Sequence, residues 1–213
     1  MDLNYMESIW WVFRQLWDKG LIYEGYKIMP FCPRCSTPLS NFEVNQGYME
    51  VTDPAITIRF KVKGEDNTYF LAWTTTPWTL PSNLALAVGP EIDYVKIKDG
   101  DEYYIMAKGL VSRYYKEAPE IVAEFRGETL NGKTYEPLFP YFADLADQGA
   151  FRVVCANFVS LEDGVGIVHM APGFGEDDNI AAKANGIPEV CPVDDQCCFT
   201  RDVPDYAGRF VKD

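Results

Sequence analysis

The residues best suited to chemistry lie in a threonine-rich peptide, residues 73–83, which reads WTTTPWTLPSN. It contains four threonines, one serine and one asparagine, held by two prolines and two tryptophans. Hydroxyl groups on short side chains donate and accept hydrogen bonds, which suits a small polar ligand or a positioned water. None of these side chains titrates near neutral pH, so the peptide is poorly suited to general acid or base catalysis. A hairpin of β-prone residues is the structural alternative.

A glycine-rich segment, residues 164–178, is the second candidate for a site. It contains His169, the only histidine of the chain, so any imidazole chemistry must use this residue. The three acids at 176–178 either cap the helix that follows or form a pocket for an ammonium group. A metal at His169 is disfavoured because no second histidine or thiolate lies close to it in sequence.

A Ser-His-Asp triad can be written from Ser82 or Ser160 with His169 and Asp178. The chain lacks the GxSxG turn that exposes such a serine in many hydrolases. The sequence therefore does not favour nucleophilic catalysis, and a structural, hydrogen-bonded histidine remains the alternative for His169.

Two of the six cysteines, Cys32 and Cys35, have the CxxC spacing of half a zinc site. No second CxxC exists in the chain, so a complete zinc site within it is not expected. Zinc at an incomplete site whose partner lies outside this chain is one interpretation, and a zinc-ribbon interaction module is another. Since no secretory signal is evident, reduced thiols in the cytoplasm are expected.

Composition and charge narrow the class of protein. The 213 residues are 47% apolar and 15% aromatic, which is enough for a packed core. A net charge of −13 argues against a broad phosphate-binding face, so any nucleic acid contact should be small and local. Neither a signal peptide nor a membrane span is indicated, and no membrane partner is expected.

The hydrophobic pattern changes from helical to alternating along the chain. Residues 4–19 predict an amphipathic helix capped by Asn4, and residues 21–50 predict a turn-rich connector. Alternation predicts strands at 56–62, 69–73, 84–88, 94–97, 103–106, 121–125, 151–154 and 164–170. Further helices are predicted at 107–116 and 177–185. Many short strands and few helices indicate an α+β fold rich in β-barrel.

Together these stretches resemble the editing domain inserted in class I isoleucyl-tRNA synthetases. The resemblance covers nearly the whole chain and rests on five pieces. They are YMESIWW (5–11), CPRCSTPLS (32–40), WTTTPWTLPSN (73–83), GKTYEPLF (132–139) and GVGIVHMAPGFGEDD (164–178). The valyl and leucyl enzymes carry an arginine in the threonine-rich peptide, whereas this chain has threonine, so the isoleucyl enzymes are the better match.

The resemblance implies a division of the chain and partners for it. Residues 1–50 would be a remnant of the catalytic domain with a connector, and residues 51–213 the editing domain. HIGH-like and KMSKS-like motifs are absent, so an excised fragment is expected, with the family's second cysteine pair lying beyond residue 213. The implied partners are the acceptor 3′ end of tRNA(Ile) carrying valine and the rest of the parent synthetase.

The implied function is hydrolysis of mischarged valyl-tRNA(Ile), without a cofactor. Isoleucine and valine differ by one methylene, worth about 1–3 kcal/mol of discrimination in an apolar pocket, so a second hydrolytic site is needed. This free-energy range is the one known for isoleucyl enzymes themselves. A non-catalytic module that only binds the aminoacylated 3′ end is the alternative.

The resemblance assigns three residues to the amino acid. Asp178 would bind the α-ammonium group of the mischarged valine and count among the catalytic residues. His169 would line the side-chain pocket and help to exclude isoleucine. Thr79 would lie close to the substrate amino acid.

Five residues are assigned to the nucleoside end and the reacting bond. Thr74, Thr75 and Thr76 would hold the terminal adenosine, the ester and the attacking water. Trp73 and Asn83 would shape the adenosine site. Because positioning and electrostatic stabilisation can accelerate hydrolysis of an activated ester, a strong protein base is not required.

Four positions depart from the family's pattern. Asn157 stands where aspartate is frequent, which puts a charge there in doubt. Phe174 stands where some members have a second histidine, so no role is transferred to it. Cys197 and Cys198 replace a segment that is often Gly/Arg-like, and no function is assigned to them.

Overall fold

The computed structural model describes residues 2–213, in which β-strands contain more residues than α-helices. The α-helices of the described residues are α1 (Leu3–Asp18), α2 (Asn41–Asn45), α3 (Val111–Tyr114) and α4 (Glu176–Ala184). The strands are β1 (Phe31–Cys32), β2 (Thr37–Pro38), β3 (Ile56–Lys61), β4 (Thr68–Thr74), β5 (Ala85–Val88), β6 (Asp93–Asp99), β7 (Glu102–Ala107), β8 (Glu120–Arg126), β9 (Arg152–Cys155) and β10 (Ile167–Met170). Short 3₁₀ helices lie at Pro77–Ser82, Lys108–Leu110, Gly127–Leu130 and Ala143–Gln148.

Eight strands form one mixed sheet in the order β8-β6-β7-β4-β10-β5-β9, with β3 on the second edge of β4. β3 pairs antiparallel with β4 along its whole length, from Ile56 opposite Thr74 to Lys61 opposite Tyr69. The start of β4 pairs in parallel with β7, and its end pairs in parallel with β10. The end of β4 therefore delivers the threonine-rich peptide beside β10.

A closing segment, residues 132–136, connects the two ends of part of this sheet. Tyr135 forms a bridge with Val62, just beyond β3, and Thr134 forms a bridge with Arg152 of β9. The ring thus runs from β3 through β4, β10, β5 and β9 and back through the closing segment. Closure removes the exposed strand edges and makes this part of the molecule a small barrel.

Burial divides the chain sharply. Among residues 2–213, the buried side chains all lie between Phe60 and Val203. The core fills the barrel and is built from alternating residues of the strands, such as Phe60 and Phe70, which face each other across β3 and β4. In contrast, α1 has no buried residue, and its Trp10 is 66% exposed.

Most predicted elements occur within a few residues of their expected bounds, and three expectations were wrong. Asn4 does not cap α1; instead the Asp2 side chain accepts a hydrogen bond from the Asn4 N–H, because the helix begins one residue earlier. The strand predicted at 164–170 is shortened to β10, because Gly164 and Gly166 adopt positive φ angles. The helix predicted at 107–116 is split into a 3₁₀ turn and α3.

Within the described chain, no helix combines the length and the unbroken apolar surface that crossing a bilayer requires. The division into residues 1–50 and 51–213 stays a prediction, and the lack of burial before Phe60 is in keeping with it.

Candidate active site

The two candidate segments meet at the ends of neighbouring strands. Val168 of β10 pairs in parallel with Trp73 of β4, so both chains run in the same direction toward one end of the barrel. His169 pairs antiparallel with Leu86 of β5 on the other edge of β10. The threonine-rich peptide, which joins β4 to β5, must therefore pass over the end of β10. This topology brings together residues that are about ninety positions apart.

A cavity of about 1180 Å³ opens at this end of the barrel. Such a volume is ample for a nucleoside bearing an amino acid. Its walls include every residue assigned above to amino acid, ester or adenosine except Asn83. These residues are Trp73, Thr74, Thr75, Thr76, Thr79, His169 and Asp178.

Two glycines make room for the site. Gly164 has φ +70°, and a Cβ there would lie 3.0 Å from the Cβ of Trp73. A Cβ on Gly175 would lie 2.7 Å from Oδ2 of Asp178, in the space the carboxylate occupies. A side chain at either position would displace a cavity residue, which explains why the segment is glycine-rich.

The threonine-rich peptide is a turn followed by a 3₁₀ helix and does not form the hairpin considered as its alternative. Oγ1 of Thr74 accepts the Thr76 N–H at 3.1 Å and lies 3.3 Å from the Thr76 hydroxyl. Thr74 is buried, whereas Thr75 and Thr76 are exposed at the cavity. The peptide thus presents hydroxyl groups on a backbone that its own side chains hold.

Both ring nitrogens of His169 form hydrogen bonds. Nε2 lies 2.9 Å from the Thr79 hydroxyl, and Nδ1 lies 2.8 Å from Nδ2 of Asn83. Thr79 in turn donates to the Thr76 carbonyl at 2.8 Å. Neither nitrogen contacts a serine or Asp178, so the Ser-His-Asp arrangement is not formed. His169 lines the cavity with a ring whose polar atoms are already engaged.

Burial lowers the pKa of His169 to about 4, so the imidazole is neutral at pH 7. The ring is 6% exposed, and desolvation penalises its charged form. An imidazole with a pKa of about 4 and hydrogen bonds at both nitrogens is a rigid wall and a poor general base.

Asp178 presents an acidic group to the cavity from the first turn of α4. Its Oδ2 accepts the Ala171 N–H at 3.0 Å, and the side chain is half-buried. Burial raises the pKa of the Asp178 carboxyl, and nearby Asp177 raises it further, while the Ala171 N–H lowers it. A carboxylate that burial disfavours is stabilised by a cationic ligand, as an ammonium group would be.

Asn83 lies behind the cavity wall, where its side chain is buried between Ala85, His169 and Tyr135. It does not line the cavity, so the structure gives it a supporting position behind His169. Its predicted contact with adenosine stays a prediction.

Several cavity residues were missed by sequence reasoning. Phe174 lies edge-on to Trp78, with ring centroids 5.0 Å apart, and both line the cavity. Residues 25–31 of the connector also contribute to the wall, and Lys27 lies 3.8 Å from the Glu176 carboxylate. Trp78 and Phe174 lie within the two motif peptides, so the sequence could have predicted that they line the cavity. The connector has no periodic pattern from which its position at the cavity could have been predicted.

The cysteine pair lies in the β1–β2 hairpin. Hydrogen bonds from Cys35 lower the pKa of the Cys32 thiol, and the pKa of Cys35 is raised in return. No group of three or more metal-binding side chains forms anywhere in residues 2–213. A structural zinc needs four ligands, so these two residues do not by themselves fit a complete site. Zinc at a half-site completed from outside the chain remains a prediction.

Comparison with known proteins supports the resemblance that the motifs indicated. Residues 1–173 match the family described as tRNA synthetases class I (I, L, M and V). The chain belongs to this family. Over its whole length it is 55% identical to the isoleucine–tRNA ligase of Bdellovibrio bacteriovorus, of which it spans 21%. It is 52% identical to that of Treponema denticola, of which it spans 22%. The chain therefore covers about a fifth of the curated relatives it matches.

One solved structure shares the fold, and a second is less similar. GlLeuRS-CP1 superimposes with a TM-score of 0.52 at 20% identity, over 66% of this chain and 71% of that one. The editing domain of a P. knowlesi cytosolic leucyl-tRNA synthetase gives a TM-score of 0.45 at 14% identity, over 63% of each chain. The first superposition confirms the predicted fold class, a mixed sheet curled into a barrel with a few helices.

Proposed function

We propose that this class I synthetase domain hydrolyses the ester bond of valyl-tRNA(Ile). One observation carries the proposal: the hydroxyl-rich peptide and the carboxylate of Asp178 line the same cavity. The relatives are isoleucine–tRNA ligases, and an enzyme that selects isoleucine needs a second step to remove valine. The acceptor 3′ end of tRNA and the rest of the parent synthetase are the proposed partners.

In this proposal, Asp178 binds the α-ammonium group of the aminoacyl ester. The carboxylate is the acidic side chain that α4 directs into the cavity, and its Ala171 N–H bond fixes its direction. A charge-assisted hydrogen bond in a half-buried setting is stronger than one in water. Esters whose amine is blocked are therefore excluded from the site.

Thr75 and Thr76 hold the ester and the attacking water. Water attacks the ester carbonyl, the bond to the ribose oxygen breaks, and free valine and an uncharged 3′ end are released. The adjacent ribose hydroxyl passes a proton from the attacking water to the leaving ribose oxygen, because the threonines do not titrate and His169 has a low pKa and both nitrogens engaged. Catalysis then comes from positioning and preorganised hydrogen bonds.

His169 limits the size of the amino acid. Its ring lines the cavity and is held by two hydrogen bonds, so it does not move aside for a longer side chain. Valine fits beside it, and the additional methylene of isoleucine meets the ring. A steric limit of this kind rejects the larger amino acid, isoleucine. An apolar pocket that is large enough for isoleucine cannot reject the smaller valine to the same degree.

The test is single-turnover deacylation of valyl-tRNA(Ile) and isoleucyl-tRNA(Ile) with the folded chain in excess. We expect valine to be released faster than in buffer and faster than isoleucine. Asp178→Asn should slow valine release by about 10–100-fold, the range for losing a hydrogen bond to a charged group. Asp177→Asn is the matched control, because Asp177 is the exposed neighbour on the same helix turn.

Valine release at the buffer rate would refute hydrolysis. If the chain then still bound a non-hydrolysable valyl-adenosine analogue, the non-catalytic 3′-end-binding module would be the correct interpretation. Equal rates for Asp178→Asn and Asp177→Asn would remove Asp178 from the ammonium site.

A further inference from the structure

One side of the cavity is formed by the loop that precedes β10, residues 160–164, which we call the cavity loop. Ser160, Asp163 and Gly164 of this loop line the cavity. Its first four residues are exposed, so burial does not hold it in place. Gly164 lies against Trp73: a Cβ on the glycine would lie 3.1 Å from Cε3 and 3.2 Å from Cδ2 of the indole. The position of the cavity loop therefore sets the surroundings of the Trp73 ring.

The main chain of the cavity loop is held by side chains of α3. Within the described chain it takes part in three hydrogen bonds, and one of these is local, from the Glu162 N–H to the Ser160 hydroxyl. The Arg113 guanidinium donates to the Glu162 carbonyl. The Tyr114 hydroxyl donates to the Gly164 carbonyl at 3.1 Å. A carbonyl only accepts, so both α3 side chains must act as donors.

A contact between apolar atoms joins the same two segments. Gly109 lies in the 3₁₀ turn that leads into α3, and a Cβ there would lie 3.6 Å from Cδ1 of Leu161 in the cavity loop. Residues 109–114, which we call the bracket, thus contact the loop near its start, its middle and its end. Arg113 and Tyr114 do not line the cavity, so any influence they have on a ligand passes through the loop.

The chain beyond the cavity loop is anchored independently of the bracket. The Val165 carbonyl accepts the Ala107 N–H at 3.0 Å, and the Gly166 carbonyl accepts the Tyr94 hydroxyl at 2.7 Å. Tyr94 is fully buried, so the second of these bonds is shielded from water. Loss of the bonds from α3 would therefore release residues 160–164 and leave β10 paired.

Trp73 has its backbone fixed by the sheet, so only its side chain depends on the cavity loop. It pairs with Thr57 of β3 on one edge and with Val168 of β10 on the other. The indole is half-buried and lines the cavity. A packed side chain keeps one orientation only where the neighbouring atoms stay in place, and Gly164 supplies such atoms here. Release of the loop would let the indole change its orientation.

We infer that Tyr114 and Arg113 are positioning residues, which hold the cavity loop against Trp73 and thereby keep this side of the cavity in the shape that binds the ligand. They act from outside the cavity, across about fifty residues of sequence. The effect on the loop is independent of the proposed function. The effect on the binding of an aminoacyl nucleoside rests on it.

The first test uses NMR of the chain without ligand. It measures the nuclear Overhauser effect between the α-protons of Gly164 and the ring protons of Trp73, together with ¹⁵N order parameters along the cavity loop. In the unaltered chain we expect a strong effect and order parameters of about 0.85, the value of rigid backbone. In the double variant Arg113→Met/Tyr114→Phe, the effect should weaken and the order parameters of residues 161–164 should fall below about 0.6.

Tyr115→Phe is the matched control, because the neighbouring Tyr115 hydroxyl bonds to Asp99 and not to the cavity loop. It should leave the Overhauser effect and the order parameters of the loop as they are in the unaltered chain. A strong effect and a rigid loop in the folded double variant would overturn the inference. Equal loosening of the loop in Tyr115→Phe would also overturn it.

The second test is calorimetric titration with a non-hydrolysable valyl-adenosine analogue. Tyr114→Phe should weaken binding by about two- to tenfold, the scale of one lost hydrogen bond, because only molecules with the loop in place bind the ligand. The double variant should weaken it further, and Tyr115→Phe should bind like the unaltered chain. Unchanged affinity in both Tyr114→Phe and the double variant would overturn the positioning role.

The two tests separate this inference from the proposed function. If the unaltered chain neither binds the analogue nor releases valine faster than buffer, the proposed function fails, while the NMR result still decides whether the bracket holds the loop. If the unaltered chain binds the analogue and releases valine, but the loop of the double variant stays against Trp73, only the inference fails.

Discussion

The first 58 described residues and the barrel use similar side chains with opposite results. Residues 2–59 contain many aromatic and aliphatic side chains, yet none is buried, whereas every buried residue of the described chain lies between 60 and 203. In the barrel, each apolar side chain meets others from the neighbouring strands and the closing segment. α1 has no such neighbour. An apolar face stabilises a fold only where a second face covers it. The hydrophobic side chains of residues 2–59 therefore add little to stability, whereas those of the barrel add much.

The test with the largest expected effect compares a phenylalanine of the barrel with one of α1. Phe70→Ala should lower the free energy of unfolding by about 3–5 kcal/mol, because Phe70 is fully buried and its removal leaves a cavity. Phe13→Ala in α1 should change it by less than about 0.5 kcal/mol, since Phe13 is 45% exposed. Urea unfolding followed by fluorescence measures both. Equal losses would show that α1 packs against the barrel in solution.

The next test measures how stability depends on pH, because the lone histidine makes a specific contribution to that dependence. The pKa of His169 is lowered from 6.5 to about 4 in the folded chain, so the unfolded chain takes up the proton first as pH falls. Stability from this group is complete above pH 6.5 and is lost as the pH falls through 4, by about 3 kcal/mol in total.

The measurement is urea unfolding at pH 7, 5.5 and 4 for the unaltered chain and His169→Gln. Carboxylates titrate in both proteins, so their contribution cancels in the difference. The variant should lose less stability between pH 7 and 4. Parallel curves would mean that His169 is accessible to water, in conflict with its burial in the barrel.

A smaller effect tests whether residues 2–59 contribute to the site although they contribute no burial. Met29 lines the cavity and is 47% exposed without ligand. Met29→Ala should weaken binding of a valyl-adenosine analogue by about fourfold for each methylene the ligand covers, and leave the urea midpoint unchanged. Calorimetric titration measures the affinity. Unchanged affinity would remove the connector from the substrate site.

The smallest expected effect concerns the cysteine pair. Cys35 is exposed and Cys32 half-exposed, and no third ligand joins them within residues 2–213. Removing zinc with a chelator, or replacing Cys32 by serine, should change the melting temperature by less than about 1 °C, since two ligands do not hold a structural zinc. A loss of several degrees would reveal a complete site and favour the zinc-ribbon interpretation.

Local patterns predicted the strands well because alternation needs only neighbouring residues. β4 was expected at 69–73 and runs from Thr68 to Thr74. The shortened β10 shows the limit: Gly166 adopts φ +75°, and a Cβ there would lie 2.3 Å from the Cβ of Ala107. That close contact with another strand is a tertiary fact, and it delays the start of the regular strand to Ile167.

The sequence predicted which residues belong to the site better than it predicted their geometry. Motif resemblance named Asp178 and the threonines, and the structure places them at one cavity. It also named Asn83 and His169 as substrate contacts. The structure shows the two side chains hydrogen-bonded to each other with Tyr135 behind Asn83, and of the two His169 lines the cavity. Hydrogen-bond partners depend on register, which sequence patterns do not report.

The sequence by itself determined the family, the α+β class and the two peptides that carry polar chemistry. These follow from local residue order, whose side chains repeat with the period of each element. Only the tertiary structure decided which polar atoms face the cavity and which form hydrogen bonds with one another. His169 and Asn83 are 86 residues apart, and Tyr135 reaches Asn83 across 52. The pairing of β10 with β4 and β5 brings His169 to Asn83, barrel closure brings Tyr135 to Asn83, and burial then keeps the imidazole neutral.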